Sequence, residues 1–242
     1  MGPGLGPSLF SGTLGSFYDR LFPSKSLHFV HSSSSLRWLS QGWIIIKGTY
    51  TWHTCSLNVL RAYYEQYQRD FSIFMKYRAE GLVAGGRMVL NFLGRRSEDP
   101  TSRECCYFWE LLAMALNYMV SEGLIDEDKM DSFNVPAYYT PSLSEVKIEV
   151  LREGFFSIDR LEVSAIKWND FDNEFNAYNA FSDDGYKVAK YMRAVVESML
   201  VSHVGDTIID EVFLRYGKII ADRISKENCQ FINVTISITK IG

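Results

Sequence analysis

The chain of 242 residues is long enough for one large α/β domain or for a core with a lid, and its 47% hydrophobic and 22% charged residues are ordinary for a globular protein. Its formal net charge of −4 excludes the basic field by which proteins attract nucleic acid. The four cysteines form no CxxC pair, no signal peptide is readable at the start, and no apolar run could cross a bilayer. We therefore predict a cytoplasmic protein with no nucleic-acid or membrane partner.

The first hundred residues predict a parallel strand–helix–strand unit. Residues 1–15 are rich in Gly, Pro and Ser and are expected to form loop. Leu27 to His31 is a short apolar run typical of a buried strand, and from Ser56 to Glu80 apolar and aromatic residues recur at helical spacing. Gly85-Gly86 should end the connection, so that 87–93 forms the next strand. A crossover of this length implies that the two strands are parallel neighbours.

The middle of the chain does not continue this alternation. Residues 105–122 form a strongly apolar predicted helix, and residues 142–153 form another that begins after Pro141. Between them, residues 130–139 are rich in Pro and aromatic side chains and show no clear period. We interpret residues 100–150 as a helical insertion over the strand ends.

The last third predicts the end of the sheet. A strand over 155–166 and an alternating strand over 231–239 enclose two amphipathic helices, 184–201 and 206–225, with a loop over 171–182. The last two strands are expected to pair in antiparallel order.

Several blocks, in the same order along the chain, carry a family resemblance. They are Gly15-Ser-Phe-Tyr-Asp-Arg-Leu-Phe-Pro23, Leu36-Arg-Trp-Leu-Ser-Gln41, Trp109-Glu-Leu-Leu-Ala-Met-Ala-Leu116, Met130-Asp-Ser-Phe-Asn-Val-Pro136, Tyr191-Met-Arg-Ala-Val195 and Phe231-Ile-Asn-Val234. From about residue 14 to 242 the chain resembles the plant SABATH carboxyl methyltransferases, most closely the salicylate/benzoate branch. This resemblance implies an α/β fold, the C-terminal part of a Rossmann-type methyltransferase sheet with a helical cap.

The resemblance also implies a domain division and an activity. Residues 1–14 would be a divergent tail, 15–99 the remaining half of the core, 100–150 the helical cap insertion, and 151–242 the C-terminal strands and helices, with a cap loop over 167–183. The activity would move a methyl group from S-adenosylmethionine to the carboxylate of a small aromatic acid. Such an acid, with a pKa of about 4, is already ionised at neutral pH, so the reaction needs a dry pocket and alignment rather than an acid/base pair.

The family pattern assigns roles to individual residues. Trp38 would donate its indole N–H to the substrate carboxylate, and apolar walls would surround the ring: Leu93, Phe108, Trp109, Tyr139, Met192, Val195 and Phe231. Ser16 and Phe17 would contact S-adenosylmethionine. From the residues alone, the same wall set could be ordinary core, and Trp38 could simply pack under a loop.

A metal site is also implied. Asp131 and Asn134, with the backbone carbonyl of Phe133, match a divalent-metal site of hard oxygen ligands that would suit Mg²⁺. Asp131 and Asn134 are equally good helix-end caps and turn residues.

The chain departs from the family pattern in several places, and three of these departures and one consequence for folding bear on the site and its stability. The family pattern places an acidic residue for the methyl donor and a Gln for the substrate ahead of the first block. The roughly fifteen residues before that block here contain no Asp, Glu or Gln, so only one side of the donor site is expected to be present. Arg37 stands where salicylate-type enzymes carry Met. One extra residue in Pro136-Ala-Tyr-Tyr139 leaves Tyr138 as an alternative to Tyr139. The strand at 27–31 should have an unpaired apolar edge, which predicts marginal stability or aggregation.

Three functional hypotheses follow from these departures. The first is a methyltransferase by descent, truncated and with little activity alone. The second is a non-catalytic module that binds a small acid or dimerises, and a homodimer is compatible with either. The third is an incomplete chain from a competent enzyme.

Overall fold

The computed structural model describes residues 10–45, 57–168 and 184–242. Within these ranges the helices and strands follow the order β1 (Leu27–Ser33), β2 (Trp38–Ile45), α1 (Leu57–Gly81), β3 (Leu82–Leu93), a short 3₁₀ turn (Arg103–Cys105), α2 (Tyr107–Ser121), α3 (Glu127–Ser132), β4 (Asn134–Tyr138), α4 (Leu143–Glu153), β5 (Phe156–Lys167), α5 (Asp184–Val204), α6 (Ile209–Lys226) and β6 (Gln230–Lys240). None of the helices in these ranges combines the length and apolar character of a membrane span. The loop predicted over 171–182 lies outside the described residues.

The main sheet has the order β1-β3-β6-β5. Strands β1 and β3 are parallel, with Val30 opposite Met88, because α1 provides the long crossover that parallel neighbours require. Strand β6 is antiparallel to both β3 and β5. The predicted fold class is confirmed, as are the parallel pair and the antiparallel ending of the sheet.

The two glycines predicted to end a connection lie inside β3 instead. Helix α1 ends at Gly81 and β3 begins at the next residue. Residues 83–86 of β3 bulge opposite one residue of β1, since Leu82 pairs with Leu27 and Arg87 with Phe29. Gly85 has φ +75°, and a Cβ on Gly86 would lie 2.9 Å from the carbonyl oxygen of Val83. The prediction that the connection runs to these glycines was wrong, because they permit a bulge within a strand that has already begun.

A second, two-stranded sheet pairs β2 with β4 in antiparallel order. The sequence interpretation missed both strands. Strand β4 contains Pro136, which normally argues against a strand, but each strand of a two-stranded sheet has a free edge where proline is tolerated. Strand β2 is irregular too, because its register with β4 shifts between Trp38 and Trp43.

The predicted helix at 142–153 is confirmed and has well-formed ends. The Ser142 hydroxyl accepts a hydrogen bond from the Glu145 amide at 3.3 Å, and the Glu145 carboxylate accepts one from the Ser142 amide at 2.8 Å. This reciprocal capping box fixes the start of α4. Gly154, in the left-handed conformation, ends it.

The buried side chains form two clusters. The helical cluster lies among α2, α5, α6 and the start of β6, and includes Phe108, Leu112, Leu116, Met192, Val196, Val212, Tyr216 and Phe231. The sheet cluster lies between the main sheet, α1 and α4, and includes Tyr67, Phe71, Met75, Met88, Leu90, Val146, Val150 and Ile236. Strands β2 and β4 contribute to both, because Trp38 and Tyr138 pack with the helical cluster while Leu39 and Ala137 pack with the sheet cluster.

Strand β1 is an edge strand in the described part of the chain. It pairs only with β3, and Phe29 is 58% exposed. The prediction of a buried strand was therefore wrong, whereas the predicted unpaired apolar edge is present. Such an edge presents free N–H and C=O groups to another strand.

Candidate functional site

The pairing of β2 with β4 brings an array of aromatic rings together. Trp38 lies opposite Tyr138, and their ring centroids are 6.1 Å apart in an edge-to-face arrangement. Trp109, from α2, stacks on Tyr138 at 5.7 Å. The array continues through Phe108 to Phe231, whose centroids are 6.0 Å apart. These distances are those of favourable aromatic contacts, and the array forms an apolar wall beside Trp38.

Seven of the eight predicted substrate residues lie in or against the helical cluster. Five are buried in it, and Trp38 and Val195 are half-buried against it; the five are Leu93, Phe108, Trp109, Met192 and Phe231. Elements far apart in sequence (β2, β3, α2, α5 and β6) deliver them to one region. The structure therefore brings these residues together, while their role in binding remains a prediction.

Tyr139 is the exception. Its ring packs against Tyr64 and Tyr67 at 5.7 and 5.1 Å, in the sheet cluster. Its hydroxyl donates to the Glu145 carboxylate at 2.7 Å, and burial is the main cause that raises its pKa far above the ordinary range. Tyr139 follows the last residue of β4, and its amide continues the pairing by donating to the Arg37 carbonyl at 2.7 Å. Consecutive residues in extended pairing point to opposite sides, so Tyr138 rather than Tyr139 joins Trp38.

Arg37 is buried beside the aromatic array. Only 4% of its surface is exposed, and its guanidinium lies 5.0 Å from the centroid of the Trp38 ring. The guanidinium donates a hydrogen bond to the Tyr191 hydroxyl, and its buried Nε has no hydrogen-bond partner in the described structure. Burial lowers the pKa of Arg37, although an arginine stays charged at neutral pH.

Two aromatic residues near the array were not singled out from the sequence. Tyr191 of α5 contacts Phe231 at 5.9 Å, and its position in one of the family-like blocks was the available signal. Trp168, 2% exposed, lies 5.4 Å from Phe231 and has a buried indole N–H without a partner among the described residues. No pattern in the sequence marked Trp168, because its neighbours become adjacent only in the folded chain.

The predicted donor residues lie in a turn next to the free edge of β1. The Ser16 hydroxyl is exposed and accepts a hydrogen bond from the Tyr18 amide at 3.2 Å. Phe17 lines a groove of about 360 Å³ that also includes Phe29 and the serines at the carboxyl end of β1, Ser32, Ser33 and Ser35. Rings and hydroxyls at the carboxyl end of a parallel strand fit part of a nucleoside. The described lining includes no acidic side chain that could hold ribose hydroxyls, so the fit covers one side of the donor.

The predicted metal ligands are not tested by the structure. The side chains of Asp131 in α3 and Asn134 in β4 lie outside its described part. Phe133 is buried, and its ring lies 5.3 Å from the His203 ring. Among the described residues, no three His, Cys, Asp or Glu side chains come together as metal ligands would.

The sequence of this chain is similar to those of known carboxyl methyltransferases. The family model of SAM-dependent carboxyl methyltransferases matches residues 6–241. The chain is 57% identical over 246 residues to S-adenosyl-L-methionine:benzoic acid/salicylic acid carboxyl methyltransferase 1 of Petunia hybrida, covering 100% of this chain and 67% of the relative. It is 52% identical over 239 residues to salicylate carboxymethyltransferase of Clarkia breweri, covering 97% and 66%.

A solved structure shares the fold. Loganic acid methyltransferase with SAH superposes with a TM-score of 0.75 at 29% identity, covering 96% of this chain and 66% of that one. The chain thus spans about two thirds of the length of the proteins it matches.

Proposed function

Because this chain belongs to the SABATH family of S-adenosylmethionine-dependent carboxyl methyltransferases, we propose that it takes part in methylating the carboxylate of a small aromatic acid of the benzoate or salicylate kind. One observation carries the proposal. Half-buried Trp38 contacts the Tyr138 ring of β4, and the array continues from Tyr138 to rings of α2 and β6 that would hold a flat aromatic acid.

The residues of this chain would bind and orient the acid. When bound, S-adenosylmethionine supplies an electrophilic methyl group on a sulfonium. The indole N–H of Trp38 would hold one carboxylate oxygen, and the faces of Trp109 and Phe231 would fix the plane of the ring. The apolar wall would strip water from the carboxylate, which favours a reaction that neutralises charge. Ser16 and Phe17 would contact one side of the donor.

Ligand binding and turnover by the purified 242-residue chain test this proposal. We expect saturable heat with sodium benzoate in calorimetry, and weak or no heat with S-adenosylmethionine, because only one rim of its site is recognisable. If benzoate and salicylate both fail to bind, the acid site proposed here is wrong.

A non-catalytic acid-binding module is the second candidate. It is favoured by the absence of acidic side chains from the described lining of the groove at Phe17. Transfer of label from methyl-labelled S-adenosylmethionine to benzoate distinguishes the two. Formation of labelled methyl benzoate would exclude a purely binding role.

Tyr138 and Tyr139 provide a matched pair of substitutions. Tyr138→Leu removes the ring stacked on Trp109, and we expect roughly tenfold weaker benzoate binding, since an aromatic contact contributes about 0.5–1.5 kcal/mol beyond its area. Tyr139→Leu should leave benzoate affinity unchanged but cost about 2 kcal/mol of stability, because Glu145 loses a buried hydrogen bond. Calorimetry and urea unfolding measure the two effects. Weaker benzoate binding in Tyr139→Leu than in Tyr138→Leu would reverse the assignment.

Further expectations from the sequence stay predictions. A Mg²⁺ ion held by Asp131, Asn134 and the Phe133 carbonyl is proposed on the family resemblance alone, and elemental analysis of purified protein would test it. The homodimer, the cytoplasmic location and the division into core and cap also await measurement.

A further inference from the structure

We propose that Arg37 is the counter-ion of the substrate carboxylate, so that this site recognises aromatic acids by charge as well as by the Trp38 indole. This inference depends on the proposed acid site. It adds a specificity-determining residue to that site.

The first step of the argument is the position of Arg37. Its guanidinium lies against Trp38, the residue expected to hold the carboxylate, at 5.0 Å from the ring centroid. Tyr138 and Tyr191 interact electrostatically with it, and both contact rings of the array, Trp109 and Phe231. A carboxylate held by Trp38 would therefore be within reach of the Arg37 guanidinium.

The second step is that no carboxylate within residues 10–45, 57–168 and 184–242 pairs with Arg37. Three arginines of the described chain are at most 4% exposed: Arg37, Arg78 and Arg95. Arg95 pairs with the Glu145 carboxylate at 2.6 Å, and Arg78 donates to the backbone carbonyl of Asp19. Arg37, like Arg78, has no described carboxylate partner, but unlike Arg78 it lies against Trp38 in the aromatic array, with a neutral tyrosine hydroxyl as its side-chain partner. An uncompensated buried cation is unfavourable, so it favours the arrival of an anion.

The third step is chemical fit. The planar guanidinium matches a carboxylate, to which it can donate two parallel hydrogen bonds. Methylation of the acid replaces this anion by a neutral ester that cannot form the ion pair. Arg37 should therefore favour binding of the acid over the ester, and should assist release of the methylated product.

Arg37→Met is the decisive variant, because it removes the charge and keeps a flexible side chain of similar length. The purified 242-residue chain is titrated with sodium benzoate and, separately, with methyl benzoate. The unaltered chain should bind benzoate more tightly than the ester. In Arg37→Met, benzoate binding should weaken on the order of 10- to 100-fold, as expected for hydrogen bonds to a charged group, while ester binding stays the same.

Two further variants act as controls. Arg37→Lys keeps the charge but not the planar fork, and its benzoate affinity should lie between those of the other two forms. Arg103→Met removes a cation that lies 3.7 Å from the Tyr107 ring centroid and is half exposed, so it should bind benzoate like the unaltered chain.

The unfolding temperature without ligand separates binding from structure. Replacing a buried charge that has no described carboxylate partner by an apolar side chain should leave the melting temperature of Arg37→Met unchanged or raise it. A lower melting temperature together with lost ester binding would make Arg37 structural and overturn the inference. Unchanged benzoate affinity in Arg37→Met would overturn it as well, while the acid site itself would stand. If the unaltered chain binds no acid, both proposals fail.

Discussion

Gly185→Ala is expected to destabilise the packing of α5 on α6 by about 3 kcal/mol or more, because the added methyl group meets backbone atoms that cannot move aside cheaply. A Cβ at this position would lie 2.6 Å from the Ala221 amide nitrogen and 2.8 Å from the Ala221 Cβ, and would also collide with the Gly217 carbonyl. Helix α5 carries Tyr191 and Met192. We therefore expect a lower urea midpoint and weaker benzoate binding together.

Gly217→Ala is the matched control in the facing helix. Its Cβ would lie 3.6 Å from the Ala189 Cβ, an ordinary contact distance. Alanine is favoured over glycine in a helix interior by about 1 kcal/mol, so this variant should be as stable as the unaltered chain or slightly more stable. Equal losses in Gly185→Ala and Gly217→Ala would contradict the close approach of the helices at Gly185.

Arg95→Met is the second change with a large expected effect, about 3–5 kcal/mol of lost stability, because it leaves a carboxylate without its buried partner. Arg95 is 1% exposed, and its Nη2 lies 2.6 Å from Glu145 Oε1 and 3.3 Å from the Tyr139 hydroxyl. It also donates to the Thr140 carbonyl. The same Glu145 closes the capping box of α4, so the start of that helix should loosen as well. Urea unfolding measures the loss.

Arg61→Met provides the comparison for an exposed ion pair. Arg61 is 80% exposed and lies 3.0 Å from Glu65, one helical turn away. Such a pair contributes about 0.3–0.5 kcal/mol. A loss in Arg95→Met no larger than that in Arg61→Met would mean that the Arg95–Glu145 pair is dispensable.

The sequence predicted the elements whose side chains repeat with a clear period. Leu60, Tyr67, Phe71 and Phe74 are buried on one face of α1, as their spacing indicated, and β6 alternates as expected. Two features of the strands were not predicted, because the residue types at those positions are compatible with more than one local structure. Two consecutive glycines such as Gly85 and Gly86 usually indicate a turn or loop. Here the pairing of β3 with β1 keeps both glycines within a strand. Pro136 argues against a strand when the sequence is considered alone, so β4 was not predicted. The strand forms because β2 pairs with it.

The residues of the candidate site could be predicted from the sequence, but the contacts among them could not. The family resemblance supplied Trp38, Trp109 and Phe231, which the fold brings into one array. It could not decide between Tyr138 and Tyr139, because that choice depends on the side to which each ring points at the end of β4. Nor could it show that Arg37 has no carboxylate partner among the described residues, since that depends on the elements packed around it.

The end of β4 separates two environments, with Tyr138, its last residue, on the side of Trp38 and Tyr139, the next residue, on the side of Glu145. Gain or loss of a single codon ahead of this tyrosine pair would therefore exchange the two faces, because a one-residue slip inverts every side chain of a strand. Relatives that differ in length at this point are therefore expected to accept different acids, even where the residues that contact the ring are identical. When such relatives are compared, insertions and deletions here should be considered together with the identities of the residues.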